Sequence, residues 1–566
     1  MILFAYLIEL IAVVLVLLAY FFLKISGLST DQISAYLSAR STYGKIDWLT
    51  PDFIASAMDR FRFTAVVLLI VALVLVFFRK KIKKKFRKLF RAIKDDIPDH
   101  LKLYELKTWK EICAILLVIG VSVYFKSQLL PRALMGDEAF TILHYAKRSI
   151  PMIVANYNFP NNHVFHSLLS HFSAMVFGDH VWVYRLPAFV FGVALAPLTY
   201  FFLRRYSGAA LALLAAVVVG YHSDIIFYST QARGYTMLAY FYLLSLFLLL
   251  HFFERKNLVY LVCFVLSNIL AFWTIPVWAY AFLSFVMLWA MQFYWTKTRL
   301  GVQVFGSILL GTAILYLPIL LTMGPKALFA NEYIAATAMG VGSSLRLNFY
   351  VFKNHVLASE SLVGVSFFAV AGLVLSFLRF QESRRVLLSI IGSLLILAVF
   401  KKVEVPVRVL FFFLPVMVVY SVRGFTGLLH RFIYPLILFL LWTNSAMLQL
   451  ARKDIASDFY SDVPRVADSL KQELRFGDRV YVSNPYVELF EYYFTERGMP
   501  VEALVRPLSS ATRVIFVREK AVSADRDKAF VHFIEESKKN HLSVNATAQM
   551  LLKETDHLKV SVLLLK

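Results

Sequence analysis

Long apolar runs dominate this sequence, and they leave few folds open. Most of them measure roughly 16–23 residues, the length needed to cross a hydrocarbon core about 30 Å thick. Lipid offers no partners for backbone N–H and C=O groups, so a run of this kind must close its own hydrogen bonds as a helix. Ten-residue stretches of alternating polarity are absent, which argues against a membrane barrel. Hydrophobic residues make up 59% of the 566, against about 45–50% in soluble domains. The expected fold is an α-helical polytopic membrane protein.

Thirteen runs read as spans: 2–24, 63–78, 111–130, 181–203, 209–228, 235–253, 258–274, 276–296, 302–322, 361–378, 386–400, 409–422 and 431–449. The first reads as a retained signal-anchor, because it lacks a basic leader and a small-residue cleavage site. The densest basic block, RKKIKKKFRKLFRAIK at 79–94, belongs on the cytoplasmic side by the positive-inside rule. Arg204 and Arg205, Arg255 and Lys256, Lys297 and Arg299, Arg384 and Arg385, and Arg431 then fall on that same side. This puts the N-terminus inside. It puts the 131–180 loop, the 323–360 loop and everything after 450 outside. Within 79–94, Ile82, Phe86, Leu89, Phe90 and Ile93 recur at helical spacing. They predict either a basic amphipathic helix on the inner leaflet or a simple stop-transfer signal.

The net charge is +23. The basic residues cluster at span ends and no recognition module accompanies them, so the charge points to topology and anionic lipid, not nucleic acid. Cys113 and Cys263 both lie in apolar runs and form neither a disulfide framework nor a metal-ligand pattern.

After Leu450 the pattern changes. RVYVS (479–483), RVIFV (513–517) and KVSVLLL (559–565) read as buried strands, and 462–474 and 525–540 as amphipathic helices. The chain thus divides into 1–110, a two-span addition with its basic segment; 111–450, the main membrane domain; and 451–566, a soluble α/β domain on the outer face.

The outer loops hold the polar residues capable of chemistry. In GDEAF (136–140), Asp137 and Glu138 can be a general base, a metal ligand or plain loop charge. In NFPNNHVFHSLLSHF (158–172), His163 and His166 can share a helical face and join the acidic pair around a metal, or serve as ordinary hydrogen-bonding groups. In YSTQARGY (228–235), Arg233 is either a snorkelling interface residue or a phosphate clamp. Lys401, Lys402 and Arg408 of KKVEVPVRVLFFFLP (401–415) add cations at the same face, as does Lys326. Carboxylates and cations gathered on one membrane face suit a site that binds a lipid phosphate beside an acceptor hydroxyl.

These motifs, together with FGDHVWVYRLPAFVFG (177–192), resemble the glycosyltransferase C superfamily over about residues 111–450. The nearest branch is the protein O-mannosyltransferase and lipid A aminoarabinose transferase group, although NNHVFH stands where many members carry a His-Pro-Pro-like run. The resemblance implies an inverting transfer of a sugar from a polyprenyl-phosphate carrier to a hydroxyl of a glycan, lipid or protein. Asp137 would be the general base, with Glu138 orienting the acceptor or raising basicity. Arg233, with Arg408, Lys401 and Lys402, would hold the donor phosphate. Asn162, His163, His166, Tyr228 and Tyr235 would line the donor and acceptor positions. No metal is required, although a divalent cation fits the chemistry. A transporter or flippase would place charges in mid-span and show repeated halves. A silent scaffold would tolerate loss of Asp137.

Overall fold

The computed structural model describes residues 7–33, 50–101, 108–293, 297–329, 363–401, 407–428, 460–482, 486–504, 513–519, 550–555 and 558–564. The run at 431–449, the helical stretch 525–540, Lys402, the Lys401 side chain and most of the 323–360 loop lie outside the described residues.

Among the described residues, six helices are long and apolar enough to cross a membrane. Helix Tyr235–Arg255 is at the centre. Its side chains are buried on nearly every face, which is why its sequence is apolar all round and not striped. It packs on Leu258–Thr274 and on Val181–Tyr221. Helix Trp109–Ser127 starts on a reciprocal cap. The Thr108 hydroxyl accepts from the Glu111 N–H at 3.3 Å, and the Glu111 carboxylate accepts from the Thr108 N–H at 3.3 Å.

Three expectations are corrected by the backbone. The 79–94 segment is helical, as its spacing predicts, but it is not a helix of its own. It continues the helix that runs unbroken from Pro51 to Leu101, some 76 Å at about 1.5 Å per residue. No glycine interrupts it, Pro98 is its only interior proline, and lysine and arginine are good helix formers. Both ends of this helix are anchored. Arg60 donates to the carbonyls of Leu321 (2.7 Å) and Thr322 (2.6 Å), while Asp96 accepts from the Leu258 N–H at 2.8 Å.

The second correction concerns 209–228. The preceding helix turns at Gly208, whose φ is +79°, and the run then stops at Tyr221. His222 is extended and its ring accepts from the Asp224 N–H at 3.2 Å, starting a separate helix at Ser223–Ser229. The third concerns 409–422. This run begins as the single turn Val407–Leu410 and a 3₁₀ turn at Phe411–Phe413, and becomes a regular helix only at Leu414–Gly424, with Pro415 in its first turn. Both breaks leave polar side chains at helix ends, where they can face a site.

The C-terminal stretch contains strands β1 (Arg479–Val482), β2 (Arg513–Glu519), β3 (Met550–Glu554) and β4 (Leu558–Leu564) in one sheet of order β1-β2-β4-β3. β1 and β2 run parallel, and β4 is antiparallel to both of its neighbours. Helices Asp462–Glu473 and Val487–Glu496 accompany the sheet. Apolar residues of this unit share a buried cluster with Leu134, Ala139, Ile142 and Leu143. The sheet unit is therefore seated directly on the loop that carries the acidic pair.

Candidate active site

The GDEAF segment forms a six-residue helix, Gly136–Thr141, and successive residues on it point to different partners. Asp137 lines a cavity of about 420 Å³ together with Asn161, Tyr228, Gln231, Arg233, Tyr235 and Arg408. Its carboxylate is partly exposed. It accepts from Arg408 Nη1 at 3.0 Å and from Asn161 Nδ2 at 3.4 Å, and Arg233 Nη2 stands 3.9 Å away.

Arg233 is almost completely buried. One Nη donates to the Thr141 hydroxyl at 2.8 Å and to the carbonyls of Asp137 and Asn161 at 3.3 Å. The other lies 3.4 Å from the Tyr235 hydroxyl, and its Nε has no hydrogen-bond acceptor among the described residues. A buried guanidinium with donor capacity left over, next to a cavity, is suited to an incoming anion. Arg408 comes from the single turn Val407–Leu410 and is more exposed, with a side-chain accessibility of 38%. The two cations therefore flank one carboxylate from elements 175 residues apart in sequence.

Glu138, for which the resemblance implies orienting the acceptor or raising basicity, also lines the cavity. It is fully buried, and both oxygens are taken. Arg185 Nε and Nη2 each donate at 2.8 Å in a fork, Ala232 N–H donates at 2.7 Å and Met135 N–H at 3.1 Å. Burial alone would raise its pKa, but Arg185 and Arg132 outweigh burial and hold the carboxyl well below the usual range. Arg185 also donates to the carbonyls of Leu130, Arg132 and Ala133. The pair ties the 130–138 loop to the 231–233 loop. That geometry holds the two loops at a fixed distance.

The histidine stretch has a similar architectural role. Asn162 is buried and donates to the carbonyls of Ile153 (2.8 Å) and Asn156 (2.7 Å), while its Oδ1 accepts from Ser167 at 3.0 Å. His163 Nδ1 accepts from the Gly234 N–H at 2.8 Å and its ring stands edge-on to Tyr235. Burial, with Arg233 nearby, drives the His163 pKa well down and keeps the ring neutral. His166 is buried with its Nδ1 3.4 Å from the Ser170 hydroxyl. These three residues brace the cavity from behind. Tyr228 and Tyr235 line it, their rings 5.6 Å apart.

Among the described residues, no group of three or more His, Cys, Asp or Glu converges as a metal site. Asp137 stands beside two guanidiniums and the Asn161 amide, while Glu138 already accepts from Arg185, Ala232 and Met135.

Several site residues escaped sequence reasoning. Asn161, Gln231 and Arg185 sat inside motifs already noticed, but nothing local marked which neighbour would matter. Tyr460 and Glu488, which also line the cavity, carried no signal at all.

No protein-family model matches the chain, and no curated protein matches it by sequence. Solved structures do match. ArnT from Cupriavidus metallidurans in the apo state superposes with a TM-score of 0.54 at 12% identity, covering 79% of this chain and 97% of ArnT. The same protein bound to undecaprenyl phosphate gives 0.47 over the same shares at 12% identity. The archaeal oligosaccharyltransferase AglB from Archaeoglobus fulgidus, in complex with an inhibitory peptide and a dolichol-phosphate, gives 0.41 at 12% identity over 72% of this chain and 70% of AglB. This chain therefore shares the overall fold of ArnT.

Proposed function

We propose that this chain is a glycosyltransferase that moves a sugar from a polyprenyl-phosphate carrier to an acceptor hydroxyl at the outer face of a cell membrane, with inversion at the anomeric carbon. The observation that carries this reading is one cavity in which Arg233 and Arg408 flank the accessible carboxylate of Asp137. The shared fold with ArnT agrees with it.

The chemistry follows from the charges. An incoming lipid phosphate competes with Asp137 for the two guanidiniums, which suit phosphate oxygens. Asp137, relieved of part of its pairing, becomes the better base. It takes the proton from the acceptor hydroxyl while that oxygen forms a bond to the anomeric carbon. The carbon–oxygen bond to the phosphate breaks on the opposite side. Its electron pair leaves with the polyprenyl phosphate, whose growing charge Arg233 and Arg408 stabilise. Glu138 and His163 act through the loops they hold, and Lys401 and Lys402 would add to the positive potential.

In this reading residues 1–110 are an added two-span unit, 111–450 the catalytic membrane domain, and 451–566 an outer domain of a multi-pass plasma-membrane protein whose N-terminus is cytoplasmic. The carrier lipid is the donor partner, and the acceptor is a glycan, lipid or protein of the cell envelope.

The test uses purified full-length protein with polyprenyl-phosphate sugars and envelope acceptors. Transfer is expected, and Asp137→Asn should abolish it with the melting temperature preserved. Full activity in that variant would remove Asp137 as the base. Activity unchanged by Arg233→Ala would remove the phosphate clamp.

A further inference from the structure

Two residues that line the cavity, Tyr460 and Glu488, belong to the C-terminal stretch and not to the membrane helices. The helix that carries Glu488, Val487–Glu496, is fixed against the loop carrying Asp137. The Tyr493 hydroxyl accepts from the Leu134 N–H at 3.0 Å. Leu489, Phe490 and Tyr493 share a buried cluster with Leu134, Ala139 and Leu143. The Lys147 ammonium sits 4.8 Å from the centre of the Tyr492 ring. Glu488 therefore keeps a set position relative to Asp137.

Much of its accepting capacity is unspent. Glu488 is half-buried, its carboxylate accepts from its own backbone N–H, and among the described residues no other side chain donates to it or pairs with it. Burial pushes its pKa up, its own backbone N–H offsets part of that, and no cation appears among the causes. Asp137, in the same cavity, has two guanidiniums beside it. An ionised carboxylate only accepts hydrogen bonds. It repels a phosphate and suits a substrate rich in hydroxyl groups.

We infer that Glu488 is a specificity-determining residue for the acceptor, taking hydrogen bonds from hydroxyls of a polyhydroxylated molecule, so that the C-terminal unit completes the active site. The assignment rests on the glycosyl-transfer reading above. It goes to the acceptor and not the donor because the two arginines already provide for the donor's phosphate. A sugar-like acceptor bearing several hydroxyls would meet Asp137 with one of them and Glu488 with others. A simple alcohol would have nothing to offer Glu488.

The experiment compares two acceptor probes, octyl β-D-glucoside and 1-octanol, with full-length protein in lipid nanodiscs and a set of polyprenyl-phosphate hexoses and pentoses as donors. Glu488→Ala should raise KM for the glucoside about tenfold, the loss expected for hydrogen bonds to a charged group. KM for octanol and for the donor should move less than about twofold. Glu488→Gln, which keeps the shape and some accepting capacity, should fall between, and it decides the matter if the alanine variant does not fold. An unchanged glucoside KM, or an equal rise in donor KM, would overturn the assignment while leaving the transfer reading intact. A wild-type protein that transfers from no donor to either probe or to envelope acceptors would overturn both.

Discussion

Replacing Arg185 with leucine would separate an architectural Glu138 from a catalytic one. In the wild-type protein Arg185 makes five donations, two to Glu138 and three to the carbonyls of Leu130, Arg132 and Ala133. Leucine leaves a carboxylate that is 1% exposed, with Arg132 as its remaining cation, 4.0 Å away. Breaking one side of a buried ion pair costs about 3–5 kcal/mol. The stranded carbonyls add to that, though not additively. Thermal unfolding of purified full-length protein should show Arg185→Leu melting about 2.5–4 °C below wild type. Arg185→Lys should recover only part, because an ammonium cannot form the fork. The double variant Arg185→Leu with Glu138→Leu should be more stable than the single one, since neither partner is then left buried alone. The pH dependence has a definite sign. The Glu138 carboxyl is depressed in the folded state, so its contribution is fully present above its unfolded value of about 4.5 and is lost as pH falls through the folded value. The gap between wild type and Glu138→Gln should stay constant from neutral pH to about 5 and close only in stronger acid. A single Arg185→Leu variant melting within about 1 °C of wild type would refute the reasoning. So would a double variant no more stable than the single.

Two further perturbations test how closely the backbones are packed. A Cβ on Gly234 would overlap Thr274 Cγ2 and press on the His163 ring, so Gly234→Ala should cost about 1–3 kcal/mol and lower transfer by displacing Arg233, read from melting and activity together; a fully active, equally stable variant would contradict this. Gly424 meets the Gly372 carbonyl where helices Leu414–Gly424 and Val363–Arg379 cross, with no room for a Cβ, so Gly424→Ala should lower the melting temperature or the yield of folded protein, while the same change at Gly306, whose Cβ would meet nothing, should do neither.

The apolar runs alone required membrane helices, because a backbone in lipid has no other way to satisfy its hydrogen bonds. The short apolar stretches at 479–483, 513–517 and 559–565 likewise marked segments that form β1, β2 and β4. Such signals are local: each is carried by a few turns of helix or a few residues of strand, and survives whatever packs around it. The endings of two runs were less legible, since Gly208 and His222 break helices through backbone geometry that composition does not show. Which partners the polar residues meet was decided only in three dimensions. Asp137 and Glu138 are neighbours of the same charge and line the same cavity, yet the Asp137 carboxylate is partly exposed while that of Glu138 is buried against Arg185, forty-seven residues away. Arg408 reaches Asp137 across 271 residues, and Tyr493 reaches Leu134 across 359. A charge selects its partner by distance through space and by the water excluded around it, and neither is written in the order of residues along the chain.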